Sequence, residues 1–156
     1  MPSKILRTSD DKVLTLLRVA LGIVLFPHGA QKVLGWWGGF GFSGTMGFFT
    51  QQMHIPAPLV LLVFAAEFLG ALGLIFGLLG RIAAFGVAVE FIVAVFMIHI
   101  HNGFFMNWTG QQKGEGVEYF ILLLAIAIAI IIRGSGAWSI DRLLARGAAP
   151  AGQGAP

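Results

Sequence analysis

The chain has 156 residues, 57% of them hydrophobic and 11% charged, with a mean hydropathy of +0.86; a soluble domain runs nearer about 45–50% and about 25%. A soluble monomer this apolar would expose patches larger than such proteins tolerate, and the net charge of +3 is spread without a basic cluster, so no nucleic-acid surface is expected. The absence of cysteine excludes disulfides, thiolate metal sites, thiol relays and c-type haem attachment on this chain.

The reading is an all-α integral membrane four-helix bundle, with a short interfacial element between spans one and two. Four runs are long enough to cross roughly 30 Å of hydrocarbon at about 1.5 Å per residue: Val13 to Val33, Ala57 to Leu79, Ile82 to Ile100, and Val117 to Ile132. The first is read as a retained span rather than a leader: Arg18 interrupts it, and His28-Gly29-Ala30 is a poor cleavage site. Pro27 removes a backbone hydrogen bond late in this span and should kink it just before His28. Between the first two spans lies a glycine- and aromatic-rich stretch, whose Ser43 to Met53 portion suits a helix in the headgroup layer. Residues 1–146 form one transmembrane domain, and 147–156, rich in Ala, Gly and Pro, read as a flexible tail.

Lys and Arg counts orient the bundle. Lys4, Arg7, Lys12, Arg18, Arg81, Arg133, Arg142 and Arg146 fall on one side, and only Lys32 and Lys113 on the other. The positive-inside rule therefore puts both termini in the cytoplasm. Trp36, Trp37 and Trp108 then mark the outer interface, and Trp138 the inner one.

Arg18, Glu67 and Glu90 lie within spans, where each unpaired charge costs about 2.5–3.5 kcal/mol on the lenient insertion scale. Helical phase at about 100° per residue gives each span one small-and-polar stripe. The stripes are Arg18, Gly22, Leu25, Gly29 and Lys32; Glu67, Gly70, Gly73 and Gly77; Ala83, Gly86, Glu90, Ala94 and Met97, with His101 if the helix continues; and Glu118, Leu122, Ala125 and Ala129. Four such stripes facing one axis would let the helices pack closely and share a polar interior; packing alone is the plainer reading. Depth along the helices brings Arg18 within reach of Glu90 or Glu67 and predicts an ion pair with one of them. An outer layer gathers His28, Lys32, His54, His99 or His101, and Glu118. His99 and His101, two residues apart, point to opposite sides of a helix and cannot both bind one ion unless the helix ends first; no metal site is expected. A b-type haem between His28 and a third-span histidine is geometrically conceivable, but no neighbouring residue supports it. Spans one and three both end in histidine, and spans two and four both run from an acid plus aromatic to an arginine, a faint two-plus-two repeat.

The segments RVALGIVLFPHGAQKVLG, SGTMGFF, AAEFLGALGLIFGLLGRIAA, HIHNGFF, GVEYFILLL and GSGAWSIDRLL, in this order, resemble the DoxX family of small four-span bacterial membrane proteins. Arg18, His28, Gly29, Lys32, Glu67, Gly73, Gly77, Arg81, His99, Asn102, Gly103, Glu118, Gly134, Gly136 and Asp141 match the family pattern, whereas Glu90 departs from it. The resemblance implies a bacterial inner-membrane component of a redox system. The related DoxD-type subunit belongs to a thiosulfate:quinone oxidoreductase, and other DoxX-like proteins are linked to oxidative-stress or electrophile resistance.

Three functions follow as expectations. The first is a quinone-linked oxidoreductase subunit: Arg18, His28, Lys32, Glu90, His99 and His101 line the ligand site, Glu67 and Glu118 exchange protons, and a soluble redox partner supplies electrons. The second is a scaffold anchoring soluble redox enzymes, its polar layers serving only fold specificity. The third is a small-solute or proton transporter. The sequence leaves the oligomeric state open, a homo-oligomer included.

Overall fold

The computed structural model describes residues 4–147, and among them there is no strand. Helix α1 (Lys12–Val33) starts where the Asp11 carboxylate accepts the Leu14 amide at 3.0 Å, and it continues through Pro27. A 3₁₀ turn at Trp36–Gly38 and the short α2 (Gly41–Gly47), extended by a π turn at Phe48–Gln52, occupy the stretch read as an interfacial element. The second long rod consists of α3 (Ala57–Phe64), a wide π turn at Ala65–Leu69, and α4 (Gly70–Phe76). Then come α5 (Gly80–Met97), a 3₁₀ turn at His99–Asn102, α6 (Glu118–Arg133) and α7 (Ile140–Gly147). The residues after Gly147, assigned to a tail by composition, lie outside the described part.

Three rods are long and apolar enough to cross a membrane: Lys12–Val33, Ala57–Phe76 and Gly80–Met97. Helix α6 has 16 residues, or about 24 Å of length. It packs with the other three in an up-and-down bundle, α1 against α4 and α6, and α5 against α4 and α6. Leu21, Leu25, Leu74, Val87, Leu123 and Ile130 form the centre of its core. Small residues set the spacing: a Cβ on Gly29 would lie 2.5 Å from the Glu67 carbonyl oxygen, and one on Gly22 would lie 2.9 Å from that of Ala71. The α1 backbone therefore runs directly against the second rod, as close packing in lipid requires.

Two expectations about phase need correction. On α6 the buried residues are Phe120, Leu123, Ala127 and Ile130, while Leu122 of the expected inward stripe is 68% exposed. Between its ends the helix is apolar all round, so polarity carries no phase information, and Glu118 is its first residue. On α5 the buried face is Gly80, Ala84, Val87 and Ala88. Glu90 is only half-buried, at the edge of that face.

The basic end of the bundle is tied by side chains acting on backbone. The expected ion pair of Arg18 with Glu90 or Glu67 does not form. Arg18 is 1% exposed and donates to the carbonyls of Leu74, Ile75 (2.9 Å), Ser135 (2.7 Å) and Trp138 (2.8 Å). The last carbonyls of a helix lack intrahelical donors and carry its negative dipole end; the Arg18 guanidinium satisfies those of α4. Arg81 does the same for α6 through Ile131 and Ile132. Each half of the chain thus ends its second rod against a guanidinium, but these belong to Arg18 and Arg81 and not to the Arg81 and Arg133 that close spans two and four in the expected repeat. Between α4 and α5 the chain turns in three residues, with Gly77 and Leu79 in left-handed conformation. For Leu79 that conformation costs about 1–2 kcal/mol. The buried Asp141 carboxylate offsets this by accepting the Leu79 and Gly80 amides at 2.7 and 2.9 Å and the Ser135 hydroxyl at 2.6 Å.

Candidate functional site

The opposite end of the bundle is built differently. A cavity of about 520 Å³ lies between α1, the second rod and α5, bordered by the Phe49–Ile55 stretch and by Met106 and Glu115. A volume in this range suits a small organic ligand. Its wall is mostly aromatic and aliphatic, with Phe49, Met53, Phe91 and Met97 among the lining residues.

The polar part of the wall is narrow and charged. Lys32, on the last turn of α1, pairs with the buried Glu67 across 2.5 Å. Glu67 stands inside the π turn Ala65–Leu69, a widened turn that breaks the regular phase of the second rod, as such bulges often do at functional sites. The Glu90 carboxyl reaches across from α5 to that of Glu67. One of its oxygens, Oε2, is buried without a hydrogen-bond partner among the described residues. Two carboxyl groups therefore face one ammonium at the edge of an apolar space.

Of the eight residues expected at a site, His28, Lys32, Glu67, Glu90 and His99 line this cavity and Arg18, Glu118 and His101 do not. Arg18 is bound to carbonyls at the other end. Glu118 accepts the Met106 amide at 2.8 Å and the Trp108 indole N–H at 3.2 Å, so its carboxylate shapes the loop 103–117 rather than the cavity. His101 is exposed because α5 ends at Met97 and the chain turns before reaching it. That early end resolves the choice between the two histidines in favour of His99. The His99 Nδ1 lies 2.9 Å from the Glu115 carbonyl oxygen, and its ring packs on Phe120 at 4.2 Å between centroids. A carbonyl only accepts, so Nδ1 is the donor in this contact, and in that tautomer Nε2 is the acceptor.

Tyr119 and Glu115 also line the cavity and were not anticipated. Tyr119 is the sole tyrosine of the chain and follows the acid of span four directly. Its value as a signal was masked by the misread phase of that helix. Glu115 sits in a polar loop whose sequence gives no reason to fold back over a cavity. Among the described residues, no group of three or more His, Cys, Asp or Glu converges on one point.

The family model DoxX matches residues 13–100, a stretch that contains Arg18, His28, Lys32, Glu67, Glu90 and His99. The chain belongs to the DoxX family. Over 135 residues it is 34% identical to "Inner membrane protein YqjF" of Escherichia coli (strain K12), covering 86% of this chain and 94% of the relative. Over 132 residues it is 29% identical to "Putative oxidoreductase CatD" of Bacillus subtilis (strain 168), covering 85% and 87%. No solved structure matches the chain significantly. This DoxX protein is a membrane protein, and its apolar rods imply a lipid bilayer around it.

Proposed function

We propose that this DoxX protein spans the bacterial inner membrane four times with both termini in the cytoplasm. In this reading its outer-half cavity binds a quinone, or a similar apolar ring carrying carbonyl oxygens, as part of a redox system. The carrying observation is the group Lys32, Glu67 and Glu90 at the rim of an apolar space of about 520 Å³. Full closure of an apolar wall around an ion pair adds a desolvation cost that its attraction need not repay, so burial for stability alone does not explain this pair. Here the Lys32 side chain stays 25% exposed, available to a second partner.

The residues can supply what quinone chemistry requires. Reduction adds two electrons and two protons to the ring and turns each carbonyl into a hydroxyl. Lys32 and the Tyr119 hydroxyl are hydrogen-bond donors for a carbonyl oxygen, and His28 is a further one. Glu67 and Glu90 bring two carboxyl groups to the rim of a space that penalises unpaired charge. A carboxyl group placed there can pass a proton to the ring as it is reduced and recover it when it is oxidised. His99, with Nε2 as acceptor, suits the hydroxyl of the reduced form. The electrons enter from a redox partner. The relative named as an oxidoreductase is consistent with this class of chemistry.

The experiment is lipid extraction of purified protein, together with quinone reduction in membranes carrying Glu67→Gln. The reading expects quinone enriched over the surrounding lipid and slower reduction in the variant. No enrichment and unchanged reduction would instead favour a scaffold.

A further inference from the structure

A second cavity, of about 390 Å³, lies at the basic end between the close of α4 and α7, lined by Phe76, Trp138, Ser139, Leu143, Arg142 and Arg146. We propose that it binds the headgroup of an anionic phospholipid. This rests on the bilayer placement of the rods but not on the ligand of the outer cavity.

The chemistry of the wall is split in the way a phospholipid is. Arg142 and Arg146 are one helical turn apart and share a face of α7. Lys12 lies over the Trp138 ring at 5.7 Å. The acids nearby leave an excess of positive charge. Asp141 is consumed by two amides and a hydroxyl, Asp11 accepts from Leu14, and Asp10 ion-pairs with Arg142 while lying within reach of the Arg146 and Lys12 charges. Among the described residues Arg146 has no carboxylate partner, so a phosphate would meet Arg146 and Lys12 with Arg142 behind them.

Around this basic patch the surface is apolar and open. Trp138 is 70% exposed, Leu143 67% and Phe76 58%. Phe76 ends a membrane-crossing rod, so these side chains stand where hydrocarbon gives way to headgroups. Helix α7 turns Ile140, Leu143 and Leu144 to one flank and its arginines to the next, the pattern of a helix lying in the interface. An occupant must offer an anionic group to the arginines and a hydrocarbon tail to Phe76 along the rod. A phospholipid of the adjoining leaflet offers both in one molecule, and basic pockets at this level are known lipid-headgroup sites.

The test uses the full chain in nanodiscs of phosphatidylcholine with or without phosphatidylglycerol. In a Trp36→Phe, Trp37→Phe, Trp108→Phe background, the remaining Trp138 reports bromine-labelled lipid by fluorescence quenching. Brominated phosphatidylglycerol should quench it at much lower mole fraction than brominated phosphatidylcholine. Each of Arg142→Gln and Arg146→Gln should weaken that preference about fivefold. Arg146→Gln leaves the Asp10 contact in place, so a folding defect from Arg142 cannot mimic the result. Lys4→Gln and Arg7→Gln, outside the cavity, should leave the preference unchanged. Equal quenching by both lipids, an undiminished preference in both arginine variants, or abolition of the preference by inorganic phosphate would overturn the proposal. Because quinone content is read separately by extraction, its absence would leave this test standing.

Discussion

Gly29→Ala is the most informative single change, because it acts on helix spacing and on the cavity lined by Lys32 and Glu67 together. Its methyl carbon would sit 2.5 Å from the Glu67 carbonyl oxygen and 2.6 Å from the carbonyl carbon. Ordinary contact between carbon atoms is about 3.5–4.0 Å, so α1 and the π turn must separate by about 1 Å. Neither atom belongs to a side chain that can rotate away. Overpacking of this kind costs about 1–3 kcal/mol, and for a chain of this length each kcal/mol lowers the melting temperature by about 2–4 °C. Lys32 is one turn further along the same helix, and its 2.5 Å contact with Glu67 cannot survive that separation unchanged. Purified Gly29→Ala should therefore melt several degrees lower and lose quinone. Gly22→Ala meets the Ala71 carbonyl oxygen at 2.9 Å, two turns toward the basic end, and should melt lower while keeping quinone. Gly47→Ala, in open space, should change neither. A Gly29→Ala protein with wild-type melting and wild-type quinone content would refute the packing argument.

Arg18→Met leaves four carbonyls, two of them fully buried, without their donor and should destabilise the bundle by about 1–3 kcal/mol per fully buried carbonyl, seen as loss of folded protein in detergent. Asp141→Ala removes the acceptor of the Leu79 and Gly80 amides; hydrogen exchange at those two amides should accelerate, with a cost of about 1–3 kcal/mol. Glu118→Ala should open loop 103–117 to protease while leaving quinone content intact, since the carboxylate holds Met106 and Trp108. The hydrogen bond from Arg142 holds the exposed Asp10 carboxyl below its ordinary 3.8. Its folded value is depressed, so the contact contributes fully above pH about 3.8 and fades as pH falls through that lower value. With Trp36, Trp37 and Trp108 replaced by Phe, Trp138 fluorescence should therefore stay constant down to about pH 4 and shift below it. In Asp10→Asn it should be shifted already at neutral pH.

Much of the fold was legible because a bilayer imposes simple rules. Hydrophobic length placed the rods to within a few residues, and Gly22 and Gly29 announced the close approach of α1 to the second rod. The eight basic residues named by sequence lie toward the end opposite His28, Lys32 and His99. What failed has a physical cause in each case. Arg18 seemed to need an acid, yet helix ends supply carbonyls with a partial negative charge, and sequence does not show which ends meet. The phase of α6 was invisible because every face of it is apolar. His101 looked better phased than His99 only on the assumption that α5 continues past Met97. Glu67 was found by its charge, whereas the π turn that presents it has no evident signature in AAEFL. Glu90 stood out as a departure from the family pattern, and the structure brings it to Glu67.

The central claim is that Lys32 and Glu67 hold a ligand rather than the fold. Its most direct test is the quinone content of wild-type protein and the Lys32→Met/Glu67→Leu double variant, each purified and extracted. Replacing both partners by apolar residues leaves no unpaired charge of that ion pair, so the double variant should keep its fold. The expected result is quinone approaching one per chain in wild type and membrane background in the double variant, with similar melting temperatures. Equal quinone in the two proteins, or none in either, would contradict the account.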